Sequence, residues 1–498
     1  MAFHDMREFI AQLKDEGQLK ETDIPLNCER GNKDLQPLMR YLCNQNGPAL
    51  MLNNLQNYNT PEIPVLFNPF GTRERTAMSI GLRDPIAAKI KHASLITDKS
   101  SWLEPNMVDR ADAQCKENVI EEKDISLDKQ LPHVWFGEEG PSYITNALTI
   151  SKDPETGERN VGWYRYIQYD KASHPLGESY SEDRAKRWLG GFFWWNPPMS
   201  QIGIHVAKAH KMGKPLEIAI AANVDPAICM AAATGLAYGE DEFKYAGALR
   251  GKAVDLVKCD TVDLEVPASA EFVLEGLCYS EEQETIGPHS NPCGYYDMVG
   301  MFPNTKIQHI THRNNPMWYS TMEMVPPFDH NYLALMPMEG ELLADLQAKI
   351  PEVNDVVVTP NMSYIVQLTV DGAQKPHSEF GKYVIHAVWG AAGRWARTAK
   401  WVTIVGPDVD PYDLNSVEWA VMTRVQPYSD TLINKSGQAM VLDPSPARSS
   451  QYGAERSEQI GIDATIKIPE RLDEYAPTSN ATAEEVAAIR EKMKGLIE

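Results

Sequence analysis

The sequence predicts an α/β chain in two main parts: a strand-rich centre folded as a mixed sheet or partly closed barrel, and a second, smaller α/β unit after it. Three observations carry this. Between residues 115 and 315, short apolar runs recur at 144–150, 163–169, 216–222, 254–257, 272–274 and 307–311. A helical pattern at 202–211 interrupts them and is stopped by Gly213 and Pro215. From 346 onward strand and helix alternate, with strands expected at 364–370 and 401–405 and a helix beginning at 383–388.

The remaining elements follow in order. Residues 1–110 read as a helix, a strand at 64–67 and further helices. Met6, Phe9, Ile10 and Leu13 fall at helical spacing among charges, which is not the pattern of a signal peptide. Residues 316–345 read as a linker and helix punctuated by Pro326 and Pro327. The tail ends in an amphipathic helix carrying Ala483, Val486, Ala487, Ile489 and Met493, expected to dock either on a neighbouring subunit or on its own domain. The expected divisions are 1–114, 115–315, 316–345, 346–450 and 451–498.

The bulk numbers narrow the function. The chain has 498 residues, 43% of them hydrophobic, enough for a large core in two or three domains. A net charge of −22 argues against nucleic acid and anionic membranes as partners, because phosphate contacts need clustered Lys and Arg. Small anions remain possible substrates, since they need only a local cationic pocket. No apolar run approaches the roughly 18 residues of a membrane span. Seven scattered cysteines (Cys28, Cys43, Cys115, Cys229, Cys259, Cys278 and Cys293), with no CxxC among them, fit a reducing cytoplasm better than a disulfide framework or a zinc site.

The most informative stretch is 242–276. Glu242 opens a short helix at 243–249, a glycine turn follows at 250–252, and Arg250, Lys252 and Lys258 come after it. A possible metal carboxylate and possible phosphate partners thus lie close together. Around it, in order, stand Asn160-Val-Gly-Trp-Tyr-Arg165, then 307–316 (IQHITHRNNP), 417–424 (VEWAVMTR) and 461–465 (GIDAT). Each motif alone is weak. As a series, over residues 5 to 470, they resemble the UbiD family of prenylated-flavin-dependent decarboxylases.

The resemblance implies a flavin-binding domain with a split β-barrel, a linker helix and a C-terminal α/β domain that oligomerises, giving a homo-oligomer between dimer and hexamer. It implies prenylated FMN made by a flavin prenyltransferase and held by a divalent metal (Mn²⁺ or Mg²⁺, possibly Fe²⁺) with K⁺ beside it. The cofactor would act as the electron sink while an aromatic or heteroaromatic acid loses CO₂. Arg165 matches the residue that holds the substrate carboxylate, a task suited to an always-charged, bidentate guanidinium. Asn160 and Glu242 match two metal ligands, and oxygen donors suit a hard cation. The third ligand is usually a histidine. Here the alignment gives Gln201, with His205 one helical turn on. Arg394 is the nearer match for a basic group beside the flavin, Lys400 the other. Arg424 reads as structural.

The largest departure is at the proton-transfer motif. The family's Glu-Gly-Pro-Phe-Gly-(Asp/Glu) reads here Ile286-Gly-Pro-His-Ser-Asn291, so both carboxylates are missing. An amide cannot titrate, which leaves Glu284, His289 and Asp297 as nearby substitutes. His289 also fits a plain hydrogen-bonded loop histidine. The chain therefore uses another acid, acts on a substrate needing a different proton source, or is a non-catalytic or partner-dependent subunit. An extra segment, 174–198, carries Arg184, Lys186, Arg187 and several aromatics. It reads as a surface loop with an apolar anchor, or as a recognition element for an aromatic acyl-CoA thioester such as phthaloyl-CoA. A simple FMN oxidoreductase is disfavoured, because no GxGxxG opens a βαβ unit.

Overall fold

Alternation along single strands builds the centre of the molecule. In the strand Leu216–Ala222, Ile218, Ile220 and Ala222 face one apolar layer while Ala219 and Ala221 face the other, as the two-residue period of a strand requires. Ile218 and Ile220 are fully buried, each contributing about 1.5–3 kcal/mol. The computed structural model describes residues 3–140, 142–169, 181–196, 198–297, 300–391, 393, 395–440, 442–447, 455–467, 479, 481 and 483–494.

The central sheet has nine strands. Its order runs Arg159–Trp163, Ala147–Lys152, Leu216–Ala222, Phe272–Ile286, Gly300–His312, Trp188–Gly191, Tyr166–Gln168 and Tyr143–Ile144, with Asn118–Glu121 also paired to Gly300–His312. Every pairing is antiparallel, so the expectation of a mixed sheet is corrected. Tyr143–Ile144 ends the order at one side, yet only two residues separate it from Ala147–Lys152 near the other. The sheet must therefore curl until its ends approach, without a closed barrel among the described residues.

Outside the central sheet, the strand expected at 64–67 is present, whereas Leu19–Thr22 and Ala49–Leu52 were not foreseen. Leu19–Thr22, Ala49–Leu52 and Val65–Phe67 form a four-stranded sheet with Trp318–Tyr319, so the chain after the central sheet threads back into the N-terminal part. The expected run 254–257 belongs to a separate small sheet of Asn106–Met107, Asp255–Lys258 and Glu265–Pro267. In the C-terminal unit the order is Val353–Val358, Ser363–Leu368, Trp401–Val405, Arg456–Asp463 and Thr431–Gln438. Arg456–Asp463, assigned to the tail by the sequence reading, is thus an inner strand of this sheet.

The helix Asn331–Gln347 joins the parts. It lies against the helix Pro85–Thr97 and the strand Val353–Val358. Gly340 allows the helix contact, because a Cβ there would stand 2.9 Å from the Lys89 carbonyl oxygen. Two ion pairs fasten this junction, one to the helix itself and one between the helix Pro85–Thr97 and the strand Val353–Val358. Arg73 binds Glu339 through both terminal nitrogens, at 2.5 and 2.9 Å, and buried Lys89 binds Asp355. The terminal helix Ala483–Met493 leaves Val486 51% and Ile489 54% exposed, so the described part of its own domain does not cover the stripe. All seven cysteines are free. No described helix is long and apolar enough to cross a membrane.

Candidate functional site

Two neighbouring clusters are built from the region between residues 160 and 165. The first is the pair Asn160 and Glu242. Asn160 lies in the edge strand Arg159–Trp163, opposite Ser151. Glu242 is the first residue of the helix Glu242–Arg250. Asp241 caps that helix by accepting from the Phe243 N–H, and Gly251, at φ +72°, ends it. Arg159 ties strand to helix through Asp241 at 2.6 Å. Glu242 accepts the Val161 N–H at 2.8 Å. Burial pushes the Glu242 carboxyl up to about 8, against the lowering effect of that bond. Asn160 is 3% exposed and its Nδ2 has no hydrogen-bond partner. The Glu242 carboxylate and the Asn160 amide oxygen are the donor types a hard cation takes, while the unpartnered Asn160 Nδ2 calls for an acceptor.

The helix Gln201–Lys211, capped by Ser200, supplies the third candidate. Gln201 donates its Nε2 to the Leu236 carbonyl at 2.9 Å, leaving its oxygen as the possible ligand. His205, one turn on, holds its Nδ1 3.0 Å from the Ser151 hydroxyl, on the strand that faces Asn160. Burial lowers His205 to about 4, so the ring is neutral, the form a metal needs. A cavity of about 360 Å³ lies beside this cluster, walled by Thr234, Gly235, Leu236 and Ala237 and reached by Arg397 from the C-terminal unit. Arg394 falls outside the described residues, while Lys400 is held by Asp443 at 2.8 Å.

The second cluster surrounds Arg165. The expected strand 163–169 is broken after Trp163 and resumes at Tyr166, and Arg165 leaves the sheet at that break. Its Nη1 donates to the Ser290 carbonyl at 2.9 Å and its Nη2 to Glu323 at 3.0 Å. Its guanidinium lies over the Tyr143 ring. Glu139 completes the group. Its Oε1 accepts from the Ser290 hydroxyl at 2.7 Å and the Ser290 N–H at 3.1 Å, and stands 3.8 Å from Arg165. Gly137, at φ +56°, turns the chain so that Glu139 points inward. A Cβ at Gly137 would stand 2.7 Å from the Tyr296 hydroxyl and closer still to Gln36.

Burial raises the Glu139 carboxyl, with Arg165 opposing. Burial would also raise Glu323, but Arg165 and His330 outweigh it and the net shift is downward. His330 stands 3.8 Å from Glu323 and stacks on Trp163.

The 286–297 loop differs from its expected role. His289 is buried against Phe192, its ring centre 4.4 Å away, and its Nδ1 is unpartnered. Burial, and then Arg165, hold it well below the usual imidazole range, so the ring is neutral. Asn291 organises the turn by accepting the Cys293 and Tyr295 N–H groups at 3.0 and 3.2 Å. Glu284 is committed to Arg184 at 2.7 Å. Asp297 pairs with His289 in a two-stranded ladder. Ile286 lies in an apolar wall with Phe192 and Phe302.

The segment 174–198 lies partly outside the described residues. In its described part every cation named above is paired: Arg184 with Glu282 and Glu284, Lys186 with Glu182, Arg187 with Asp183 and Glu122. Elsewhere, Asp260, Glu275 and His309 converge within 4.8 Å, but the Lys116 ammonium sits 2.9 and 3.0 Å from the two acids and fills the place of a cation.

Glu139 and Glu323 escaped the sequence reading. Glu139 stands before Gly140-Pro141, and Glu323 is a lone charge between Met322 and Met324. A charge inside an apolar run is the signal that marks a paired, buried acid.

A second cavity, about 580 Å³, runs between this loop and the C-terminal unit, with Pro292, Cys293, Tyr295 and Pro326 on one side and Met362, Ser363, Lys400 and Trp401 on the other.

Comparison with known proteins gives the arrangement its relatives. Residues 10–92, 106–326 and 331–464 match the N-terminal, Rift-related and C-terminal domains of 3-octaprenyl-4-hydroxybenzoate carboxy-lyase. A protein of Archaeoglobus fulgidus, described as uncharacterized, is 32% identical over 94% of this chain and 92% of its own. Among solved structures, the UbiD-class enzyme HmfF of Pelotomaculum thermopropionicum, in complex with FMN, is 26% identical with a TM-score of 0.81, over 97% of this chain and all of its own. The vanillic acid decarboxylase of Sedimentibacter hydroxybenzoicus in open form is 28% identical with a TM-score of 0.82, over 99% of each chain. The chain belongs to the UbiD family and is a carboxy-lyase.

Proposed function

We propose that this carboxy-lyase uses prenylated FMN to decarboxylate an aromatic or heteroaromatic acid, reversibly, with CO₂ concentration deciding the direction. The observation that carries the reading is the Arg165 cluster beside the buried Asn160–Glu242 pair. Asn160, Glu242 and His205 would hold a divalent cation against the flavin phosphate, with Gln201 as the alternative third ligand. Arg397, which reaches the cavity beside Leu236, is a further candidate with Arg394 for the basic group that meets that phosphate. When bound, the cofactor supplies the electron sink for the carbon that loses CO₂.

The chain's own residues do the rest. Arg165 spends two of its five N–H donors on Ser290 and Glu323 and has others for a substrate carboxylate. Phe192, Ile286 and Phe302 form a dry wall. His289 offers an unpaired ring nitrogen to a polar group of the substrate. A free acid is favoured over its CoA thioester, because Arg184, Lys186 and Arg187 already face carboxylates.

Co-expression with a flavin prenyltransferase, followed by a flavin spectrum, metal analysis and CO₂ release from a panel of aromatic acids, tests this. Arg165→Ala is expected to keep flavin and fold while turnover drops by about 100-fold or more. A colourless protein active only with partners would favour the subunit reading, and full activity in Arg165→Ala removes the carboxylate-binding role.

A further inference from the structure

The missing carboxylates at 286 and 291 leave decarboxylation without an obvious acid. We propose that Glu139 supplies the proton that replaces the departing carboxyl group, with Glu323 as the fixed anion that positions Arg165. The inference rests on the decarboxylase reading above. Its ground is a single chain of contacts running Glu323–Arg165–Ser290–Glu139.

Charge balance decides which acid carries the proton. Two acids share one guanidinium, and His289 beside them is neutral. One negative charge is thus compensated and the other is not. Glu323 takes the direct 3.0 Å bond to Arg165 and has His330 at 3.8 Å. Glu139 is 3.8 Å from Arg165, has two neutral donors from Ser290 and lies near Tyr143. Glu139 is therefore the acid that stays protonated, and the opposite shifts of the two carboxyls agree with this. Pairs of carboxyls driven apart by their surroundings are the usual way to divide acid and anion roles.

In the step itself the bond between the substrate carbon and its carboxylate breaks, CO₂ leaves, and the electron pair stays on the carbon side. The Glu139 proton then bonds to that carbon. Glu139 is left as a carboxylate and takes its next proton from water. The groups facing it are Arg165, Glu323, Tyr143 and His289, with His330 behind Glu323.

The test uses the flavin-loaded enzyme. In the infrared spectrum of wild type minus Glu139→Gln at neutral pH, a protonated-carboxyl band is expected; wild type minus Glu323→Gln should show none. Glu139→Gln is expected to keep its flavin and metal, lose about 100-fold or more in kcat, and lose the fall in kcat that wild type shows as pH rises. Glu139→Asp should recover part of the rate. Absence of the band, or a Glu139→Gln rate within about threefold of wild type, overturns the assignment. If wild type turns over no aromatic acid, the decarboxylase reading fails and the infrared result alone decides the protonation of Glu139. If Glu139→Gln does not fold, pH titration of the band in wild type and Glu139→Asp decides it.

Discussion

Replacing Glu242 by Gln should stabilise the metal-free protein while removing its capacity for metal. The Glu242 carboxyl moves from an ordinary value of 4.5 to about 8 because burial disfavours its charge. An acid with a raised folded-state pKa costs nothing below its unfolded value. The cost then grows with pH and levels off above the folded value. From pH 4.5 to 7 it accumulates at about 1.4 kcal/mol per pH unit, about 3 kcal/mol in all. Gln is neutral throughout, and its oxygen can still accept the Val161 N–H. In chelator, Glu242→Gln should therefore exceed wild type by about 3 kcal/mol at pH 7 and by about nothing near pH 4. With Mn²⁺ at a hundred times its Kd, wild type gains about 2.7 kcal/mol and the variant little. Urea denaturation of the flavin-free protein, followed by tryptophan fluorescence with chelator or Mn²⁺ across this pH range, measures both. A variant less stable than wild type in chelator at pH 7, or equal stabilisation of both by Mn²⁺, refutes the reasoning.

Three other substitutions probe the frame of the site. Gly137→Ala places a Cβ at positive φ against Gln36 and Tyr296; a loss of about 1–3 kcal/mol is expected, read as a lower unfolding midpoint. An unchanged midpoint would show that the turn has room. His205→Ala should lower bound Mn²⁺, measured by elemental analysis, more than Gln201→Ala does, since the imidazole reaches Ser151 opposite Asn160. The reverse order assigns the ligand to Gln201.

The parts of this molecule that were legible in the sequence are the local ones. The helix Gln201–Lys211 could be read from its apolar spacing and its glycine stop, and Glu242–Arg250 from its acid and the glycine beyond. Asn160 and Arg165 share one short motif, so they were named together. The short strands Leu19–Thr22 and Ala49–Leu52 were missed, because only pairing across the chain makes them strands. Glu139 and Glu323 were missed for the same reason. Glu323 meets Arg165 from 158 residues away, and nothing in its local pattern points to a partner at that distance. The 286–297 loop was legible as a departure from the family pattern. That acids from other segments meet this loop became visible only in the fold, where Ser290 touches Glu139.

The clamp on the helix Asn331–Gln347 limits how the two halves can part. Arg73–Glu339 and Lys89–Asp355 fasten one edge, and Gly340 seats the helix against Pro85–Thr97 too closely for sliding. Those contacts fix that edge, whereas at the larger cavity Tyr295 and Pro326 face Trp401 and Met362 across open space.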